Sequence, residues 1–393
     1  MPEVIVVGAG PVGMLLAAEL ARRDVDVEVV ERRAQGGGGS RAIGLHAPVL
    51  AALEEGGATD RILARAVRVS RGEARSDGRL LGVVRFDRLS VRHPYVATLP
   101  QALTESALAV GAPEPQRGTT VSRVRVGMDA VRLDASDPRG ERELSAPIVV
   151  VAAGVGARDL VFRPDALGRT SYPDRYLMSD TDVAPREDAE TAVVHLAAGG
   201  VLESFPLPGG RRRFVAWDAG DPRTTAAGGA GGATGIDEPA ARLERLRAAL
   251  RERGEAAAAD TVTAATGFRV RRVLAPAMRR GRLAVIGDSA HEISPIGGQG
   301  MNLGLLDAAT LAPLLAAWVR TGREPAAALA RWERDRLRSA RIAGRMAAVN
   351  MRLGRPVSAA THALRTRTLG AALAATGSLV PRAYAMGLDT AAR

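Results

Sequence analysis

The stretch VIVVGAGPVG, residues 4–13, decides the fold. Its β-branched apolar start predicts a buried strand and its glycines predict a tight turn. The apolar residues that continue at helical spacing to Leu20 predict a helix. A second apolar run over residues 25–30 ends at Glu31. Strand, turn, helix and strand in this order predict a right-handed βαβ unit with parallel strands.

The three glycines of this stretch have the spacing of a dinucleotide-binding turn. Gly8 permits the tight turn, Gly10 lets a pyrophosphate approach the backbone, and Gly13 lets the helix lie close to the strand. The free amides and the positive dipole end at the helix start favour phosphate there. Glu31 is expected to accept hydrogen bonds from the adenosine ribose. The pattern predicts a dinucleotide but does not separate FAD from NAD.

The length and composition of the chain restrict the class of protein. Its 393 residues suffice for two packed domains or for one domain with an insertion. A content of 46% hydrophobic and 25% charged residues is typical of a globular protein. No stretch reaches the length expected of a transmembrane helix, and the start lacks the features of a signal peptide. We therefore expect a cytoplasmic protein without stable membrane insertion.

Several kinds of chemistry are excluded or disfavoured by the residues that the chain uses. Cysteine is absent, which excludes disulfides, thiolate nucleophiles and cysteine-bound metals. The five histidines show no metal-binding spacing, so no metal is expected. The formal charge of +11 comes from scattered arginines, without any lysine, and only 3% of the residues are aromatic. This composition disfavours nucleic-acid binding.

The remaining runs predict an α/β protein with an inserted sheet. Ile148–Val151 and Leu283–Ile286 are short apolar runs that are expected to join the parallel sheet. Residues 69–94 and 179–270 alternate strand-like stretches with turns, which predicts mostly antiparallel sheet. The expected ranges are 1–70, 98–178 and 271–320 for a Rossmann-like domain with a parallel sheet, 71–97 and 179–270 for an inserted, mostly antiparallel β-sheet domain, and 321–393 for a helical C-terminal part.

A second signature lies in the C-terminal half of the chain. Residues 287–291 read GDSAH, residues 295–302 read PIGGQGMN, and Asp307 follows in a predicted helix. An acid after a parallel strand can hold polyol hydroxyls, and a glycine turn brings a helix start against a planar anionic ring. With these residues the chain resembles the single-component FAD-dependent aromatic monooxygenases of the para-hydroxybenzoate hydroxylase type. The resemblance extends from Glu3 to about Trp318.

The resemblance implies that the dinucleotide is FAD and that the inserted sheet is the substrate domain. Asp288 would bind the ribityl chain, Pro295 would flank the flavin edge, and residues 300–302 would face its pyrimidine part. Residues 40–45 and 99–105 are similar to the family's Arg-containing flavin loop and Gln-bearing helix start. The implied cofactor contacts are Gly8, Gly10, Pro11, Val12, Gly13, Glu31, Arg32, Arg41, Gln101, Asp288, Pro295, Gly298, Gly300, Met301 and Asn302.

One motif departs from the family pattern. The family carries an Asp-Gly pair after the middle strand, which is associated with the handling of both FAD and NAD(P)H. This chain has Ala153 and Gly154 there, with Arg158 and Asp159 beyond them. This departure affects the expected binding of the electron donor NAD(P)H more than the expected binding of the flavin.

The activity implied by the resemblance is that of an FAD-dependent monooxygenase. Such an enzyme would oxygenate an aromatic or polyketide-like molecule through a flavin C4a-hydroperoxide, with NAD(P)H as electron donor and O2 as co-substrate. No protein nucleophile is then required, although Pro295 and His291 are expected near the flavin. We expect a monomer or a homodimer. The candidate substrate contacts are His46, Tyr95, His195, Phe205 and Trp217.

Other activities are compatible with the same pattern. An FAD-dependent dehydrogenase or reductase without oxygen transfer is the main alternative, followed by a non-catalytic flavin-binding protein. A flavin-dependent halogenase is disfavoured because Trp217, Trp318 and Trp332 stand apart. A hydrolase is disfavoured because the GDSAH segment lacks the second glycine of a nucleophile elbow.

Overall fold

The structure is a computed structural model that describes residues 1–36, 42–220, 238–375 and Met386. The strands are β1 (Val4–Val7), β2 (Val27–Glu31), β3 (Gly44–Leu45), β4 (Val67–Val69), β5 (Arg71–Ser76), β6 (Arg79–Arg85), β7 (Val96–Thr98), β8 (Gln116–Arg117), β9 (Thr120–Val126), β10 (Val131–Asp137), β11 (Gly140–Ala146), β12 (Ile148–Val151), β13 (Gly168–Asp182), β14 (Ala192–Ala197), β15 (Gly200–Leu207), β16 (Arg211–Trp217), β17 (Thr266–Leu274), β18 (Arg279–Arg280), β19 (Leu283–Val285) and β20 (His291–Glu292). The helices are α1 (Pro11–Ala21), α2 (Ala47–Ala52), α3 (Ala58–Leu63), α4 (Gln101–Leu108), α5 (Pro239–Glu252), α6 (Ala256–Thr261), α7 (Gly300–Thr321), α8 (Ala326–Gly354) and α9 (Ala359–Ala375).

A six-stranded sheet forms the centre of the first domain, in the order β18-β19-β12-β1-β2-β8. The pairs from β19 to β8 are parallel, and only the edge strand β18 runs antiparallel. Strands β1 and β12 are apolar along their whole length because both faces of the central sheet are buried in one core, which includes α1 and residues of β10 and β11. The predicted α/β class and the parallel placement of β12 and β19 are confirmed.

An eight-stranded sheet forms the second domain, in the order β20-β17-β13-β16-β15-β14-β5-β6. Its pairs are antiparallel except for β14 and β5, which run parallel and join the two separate segments of the chain. Strand β13 begins at Gly168, so this sheet starts before the expected boundary at residue 179. The sequence pattern does not indicate the early part of β13, because Pro173 lies in a bulge between Ser171 and Arg175 that breaks the alternation.

Two helices also lie within residues 179–270, where the sequence predicts mostly antiparallel sheet. Helices α5 and α6 cover one face of the eight-stranded sheet, where Leu246 and Leu250 pack against Leu177 and Phe214. The spacing of Leu246 and Leu250, with Leu243 one turn earlier, is helical and could have predicted α5. An antiparallel sheet of β11, β10 and β9 also precedes β12, in a region expected to belong to the Rossmann-like domain.

The C-terminal part is helical, as predicted, through the described residues of α8 and α9. Helix α7 is long and apolar enough to cross a membrane by length and composition alone, contrary to the expectation that no stretch has that length. Most of its residues are buried in this fold, where it packs against α1 and α8. Its apolar character is therefore accounted for by its place in the core.

A buried polar cluster joins α7 to the sheet and to α8. The Asp307 carboxylate accepts hydrogen bonds from the Gly287 backbone N–H at 3.0 Å and from Arg336 Nε at 2.8 Å. It also lies 2.6 Å from His291 Nε2. The side chains of Asp307, His291 and Arg336 are completely buried. Arg336 donates a further hydrogen bond to the Leu303 carbonyl at 3.2 Å.

Charge pairing offsets the desolvation of this cluster. Burial acts to raise the pKa of Asp307, but the adjacent His291 and Arg336 outweigh it and hold that pKa below its ordinary value. Burial acts to lower the pKa of His291, and the Asp307 carboxylate reverses this and raises it. Each member therefore depends on its partners to remain charged in the interior.

We expect Asp307→Asn to destabilise the protein by about 3–5 kcal/mol, because it leaves the buried Arg336 without a counter-charge. Urea unfolding of the FAD-supplemented protein measures this. The exposed Asp165 provides the control, since Asp165→Asn removes a carboxylate at the surface. Equal midpoints for the two variants would contradict the structural role of Asp307.

Candidate functional site

The first glycine turn leaves open space at one glycine and none at the other two. A Cβ atom at Gly13 would lie 1.9 Å from the Gly8 carbonyl oxygen, and Gly8 itself has a φ of 113°. A Cβ atom at Gly8 would also lie 2.6 Å from the Ala153 Cα atom. By contrast, nothing lies within 4 Å of the corresponding position at Gly10. Two glycines therefore serve packing, and Gly10 faces space that a pyrophosphate can occupy.

Glu31 ends β2 beside this turn and is oriented by the backbone. Its Oε2 accepts a hydrogen bond from the Ala9 N–H at 2.9 Å. Its Oε1 accepts from the Arg33 N–H at 2.9 Å and from Arg33 Nε at 3.0 Å. Burial acts to raise the pKa of Glu31, but these donors outweigh it and keep the pKa below its ordinary value. An ionised, fixed carboxylate here suits ribose hydroxyls.

The second signature lies at the same edge of the parallel sheet. Strand β19 leads into a 3-10 turn, Gly287–Ser289, in which the Asp288 side chain is exposed. Because β1, β2 and β19 are parallel, their carboxyl ends lie on one side, and this places Glu31 and Asp288 along one edge. A Cβ atom at Gly304 would lie 2.7 Å from Val12 Cγ2, so α7 packs directly against the start of α1.

The atypical middle motif is joined to the second signature by Arg158. This buried guanidinium donates two hydrogen bonds to the Asp288 carbonyl, at 2.6 Å and 3.2 Å, and one to Glu292 at 2.8 Å. Ser289 Oγ also donates to the Gly154 carbonyl at 2.9 Å. In the sequence, Arg158 is only a neighbour of the position where the family's carboxylate is absent. Its partners lie far along the chain, so no local pattern indicates them.

The loop before α7, residues 295–299, is called the glycine cradle below. Gly297 and Gly298 have φ values of 96° and 68°, which disfavour any residue with a side chain. The Asn302 side chain is fully engaged in holding this loop. It donates to the carbonyls of Gly44 and Gly298, both at 2.8 Å, and accepts from the His46 N–H at 2.9 Å. At Asn302, it is therefore the backbone that can face a ligand.

His46 lies beside this cradle and is buried. Neither ring nitrogen has a hydrogen-bond partner within the described residues. Burial lowers the pKa of His46 to about 4, against a smaller upward effect of the Gly298 backbone. The ring is therefore neutral at pH 7, and it can donate or accept one hydrogen bond with a bound molecule.

Gln101 contacts the loop that follows β2, whereas Arg41 lies outside the described residues. Gln101 Oε1 accepts from the Ala42 N–H at 3.3 Å, and its Nε2 donates to Glu105 at 2.7 Å. Gln101 thus begins α4 and is held in place by Glu105.

The candidate substrate residues do not form one group. By strand register, His195 faces the side of the eight-stranded sheet that α5 and α6 cover, and its Nε2 lies 3.4 Å from Glu255. By the alternation of side chains along a strand, Phe205 and Trp217 lie on the opposite side of the sheet. That side packs against Ile296 of the glycine cradle. Tyr95 lies elsewhere, beneath the Arg68 guanidinium. Only two of the sheet residues therefore face the side where the flavin loops lie.

No group of three histidine, aspartate or glutamate side chains in the described ranges has the arrangement of a metal site. The polar groups of the site are instead backbone amides, two carboxylates and a neutral imidazole. This set fits a dinucleotide with a phosphate bridge and hydroxyl groups.

We expect Gly10→Val to lose bound FAD while the protein stays folded, because its side chain would enter open space. The change costs at most about 1 kcal/mol at this helix cap. Gly13→Ala should instead unfold the protein, since its Cβ would collide with Gly8. Thermal unfolding of the apoprotein and released FAD per mole of protein separate the two outcomes. A Gly10→Val protein with undiminished FAD would contradict the pyrophosphate assignment.

Comparison with known proteins identifies the family. The model of the family described as FAD binding domain matches residues 1–347. A 6-methylpretetramide 4-monooxygenase of Streptomyces rimosus is 31% identical over 334 residues, which cover 81% of this chain and 56% of that protein. The chain thus spans little more than half the length of this relative.

Solved structures share the fold across nearly the whole chain. The p-nitrophenol 4-monooxygenase PnpA of Pseudomonas putida DLL-E4 superposes with a TM-score of 0.84 at 24% identity, covering 100% of this chain and 98% of that one. CabE, an aromatic hydroxylase from angucycline biosynthesis, superposes with a TM-score of 0.76 at 28% identity, covering 99% and 76%. With its two glycine signatures and its eight-stranded sheet, the chain belongs to the FAD-binding family of the aromatic monooxygenases, the para-hydroxybenzoate hydroxylase type.

Proposed function

We propose that the protein is an FAD-dependent monooxygenase that hydroxylates an aromatic or polyketide-like small molecule. One observation carries this proposal. Two glycine signatures from distant parts of the chain meet at the carboxyl edge of one parallel sheet, and the glycine cradle beside them faces an inserted sheet. The relatives support the substrate class, since their names include an anhydrotetracycline monooxygenase and a pentachlorophenol 4-monooxygenase.

The chain's own residues would bind and orient FAD in a defined order along the sheet edge. Glu31 would bind the adenosine ribose, the turn at Gly10 and the start of α1 would bind the pyrophosphate, and Asp288 would bind the ribityl chain. The amides at the start of α7 would stabilise negative charge on the pyrimidine side of the ring. When bound, FAD supplies the redox chemistry, taking electrons from NAD(P)H and activating O2.

The inserted sheet and the C-terminal helices would exclude water from the substrate. Exclusion of water favours transfer of oxygen to the substrate over loss of peroxide. No side chain is required as a nucleophile. His291 is tied to Asp307 inside the protein, which supports a structural role for it near the flavin loop.

NAD(P)H as electron donor, a cytoplasmic location and a monomeric or homodimeric state are part of the same proposal. Arg158 follows the motif that the family associates with NAD(P)H, but its guanidinium is already bound to the Asp288 carbonyl and to Glu292. It supports the flavin site from within, and we infer that NAD(P)H is bound by other residues.

Asp288→Ala should yield protein depleted of FAD, because the ribityl hydroxyls lose their acceptor. The absorbance at 450 nm per mole of purified protein measures this. The exposed Asp129 is a suitable control, as Asp129→Asn alters a carboxylate in a surface turn. Unchanged absorbance in Asp288→Ala would remove the ribityl assignment.

The activity itself is tested with the FAD-loaded full chain and a panel of phenols, naphthols and hydroxyanthraquinones. We expect at least one of them to accelerate NADPH or NADH oxidation, with one O2 consumed and one oxygenated product formed per NAD(P)H. Substrate oxidation without incorporation of 18O from 18O2 would indicate a dehydrogenase. No stimulation by any compound or reductant would favour a non-catalytic flavin-binding protein.

A further inference from the structure

A buried glutamate lies in the eight-stranded sheet, away from the FAD signatures. Glu203 is in the middle of β15 and is only 9% exposed. Its neighbours across the sheet are Val194 on β14 and Val215 on β16. A carboxyl group thus lies between two apolar side chains of a sheet interior.

Glu203 makes no hydrogen bond or ion pair with any residue in the described part of the chain. Every other buried carboxylate discussed above has a cationic or amide partner. An isolated buried carboxyl group destabilises a fold, because burial removes its hydration without replacing it. Burial alone raises the pKa of Glu203 to about 7, so the group is partly neutral at physiological pH.

A second unsatisfied polar group lies close to it. The Tyr176 hydroxyl on β13 is completely buried and has no hydrogen-bond partner among the described residues. Register places Met178 in the same cross-strand row as Val215 and Glu203, and Tyr176 lies two residues before Met178 on the same face, with β16 between the two strands. The charge of Glu203 also contributes to the raised pKa of Tyr176, after burial itself. The two groups are therefore near enough to act on one molecule.

Both groups lie on the sheet face that meets the flavin loops. Tyr176 and Val215 belong to an apolar cluster with Ile296 of the glycine cradle and Met351 of α8. The opposite face is closed by α5 and α6. A molecule held at Glu203 would therefore lie in the same layer of the protein as the glycine cradle.

We propose that Glu203, assisted by the Tyr176 hydroxyl, binds a hydroxyl group of the aromatic substrate. This inference rests on the monooxygenase function proposed above. A phenolic hydroxyl can donate to the carboxyl group and accept from the tyrosine, which satisfies both groups at once. The apolar walls formed by Val194 and Val215 suit the ring that carries it. The nearby Arg355 is paired with Asp174 at 2.7 Å and therefore does not neutralise Glu203.

The thermal stability and the ligand binding of Glu203→Met distinguish this role from a structural one. Methionine has a similar volume and no charge, so we expect the variant to be more stable than the wild type, with Tm raised by several degrees. Residues kept for binding commonly reduce stability in this way. Glu190→Gln, at an exposed position of the same domain, is the control and should leave Tm unchanged.

Binding is measured through the absorbance change of the FAD-loaded full chain. The probes are 1-naphthol and 1,8-dihydroxyanthraquinone, each paired with its methyl ether. The wild type should bind the hydroxyl compounds more tightly than the ethers. Glu203→Met should weaken binding of the hydroxyl compounds by about tenfold or more, and Tyr176→Phe should weaken it less, while neither changes binding of the ethers.

The outcomes separate this inference from the proposed function. Equal binding of the hydroxyl compounds by wild type and Glu203→Met would overturn the role of Glu203 and leave the monooxygenase proposal intact. Failure of the wild type to bind any of the four probes would count against both. A fall in Tm for Glu203→Met would show that the carboxyl group stabilises the fold, contrary to the inference.

Discussion

The Asp307 carboxylate is the interaction on which the arrangement of the site depends. It is completely buried and binds Gly287 at the end of the parallel sheet, His291 on the next strand and Arg336 on α8. A buried carboxylate tolerates no misplacement of these partners, since each uncompensated charge costs several kcal/mol. The Gly287–Ser289 turn, and with it Asp288, is thereby fixed relative to α7 and α8.

Close backbone packing then brings the two halves of the FAD site together. The Gly13 position lies against the Gly8 carbonyl, and the Gly304 position lies against Val12 and Gly287. Any side chain at Gly13 or Gly304 would separate α1 from the strand or α7 from α1. These packing glycines therefore set the distance between the two binding turns, while Gly10 leaves the space that a pyrophosphate can occupy.

The buried polar groups that bear on the two proposed binding regions divide into two classes. Asp307, Arg336, Arg158 and Asn302 are buried with nearly all of their hydrogen-bonding capacity met inside the protein. His46, Glu203 and the Tyr176 hydroxyl are buried without partners in the described residues. Buried polar groups are normally satisfied, so the second class indicates where a bound molecule completes the structure. The first class supports the fold, and the second points to recognition.

Local sequence determined the βαβ unit, the second signature and the FAD-binding family, because a strand, a glycine turn and a helix start are each specified by a few adjacent residues. Gly8, Gly10, Gly13 and Glu31 could be interpreted in this way from the chain alone. Tertiary structure alone decided that Arg158 holds Asp288 and that His195 faces away from the flavin loops. It also showed that Glu203 is buried without a partner. Such properties depend on contacts between distant segments and on strand register, and a one-residue change in register would reverse the face of every side chain.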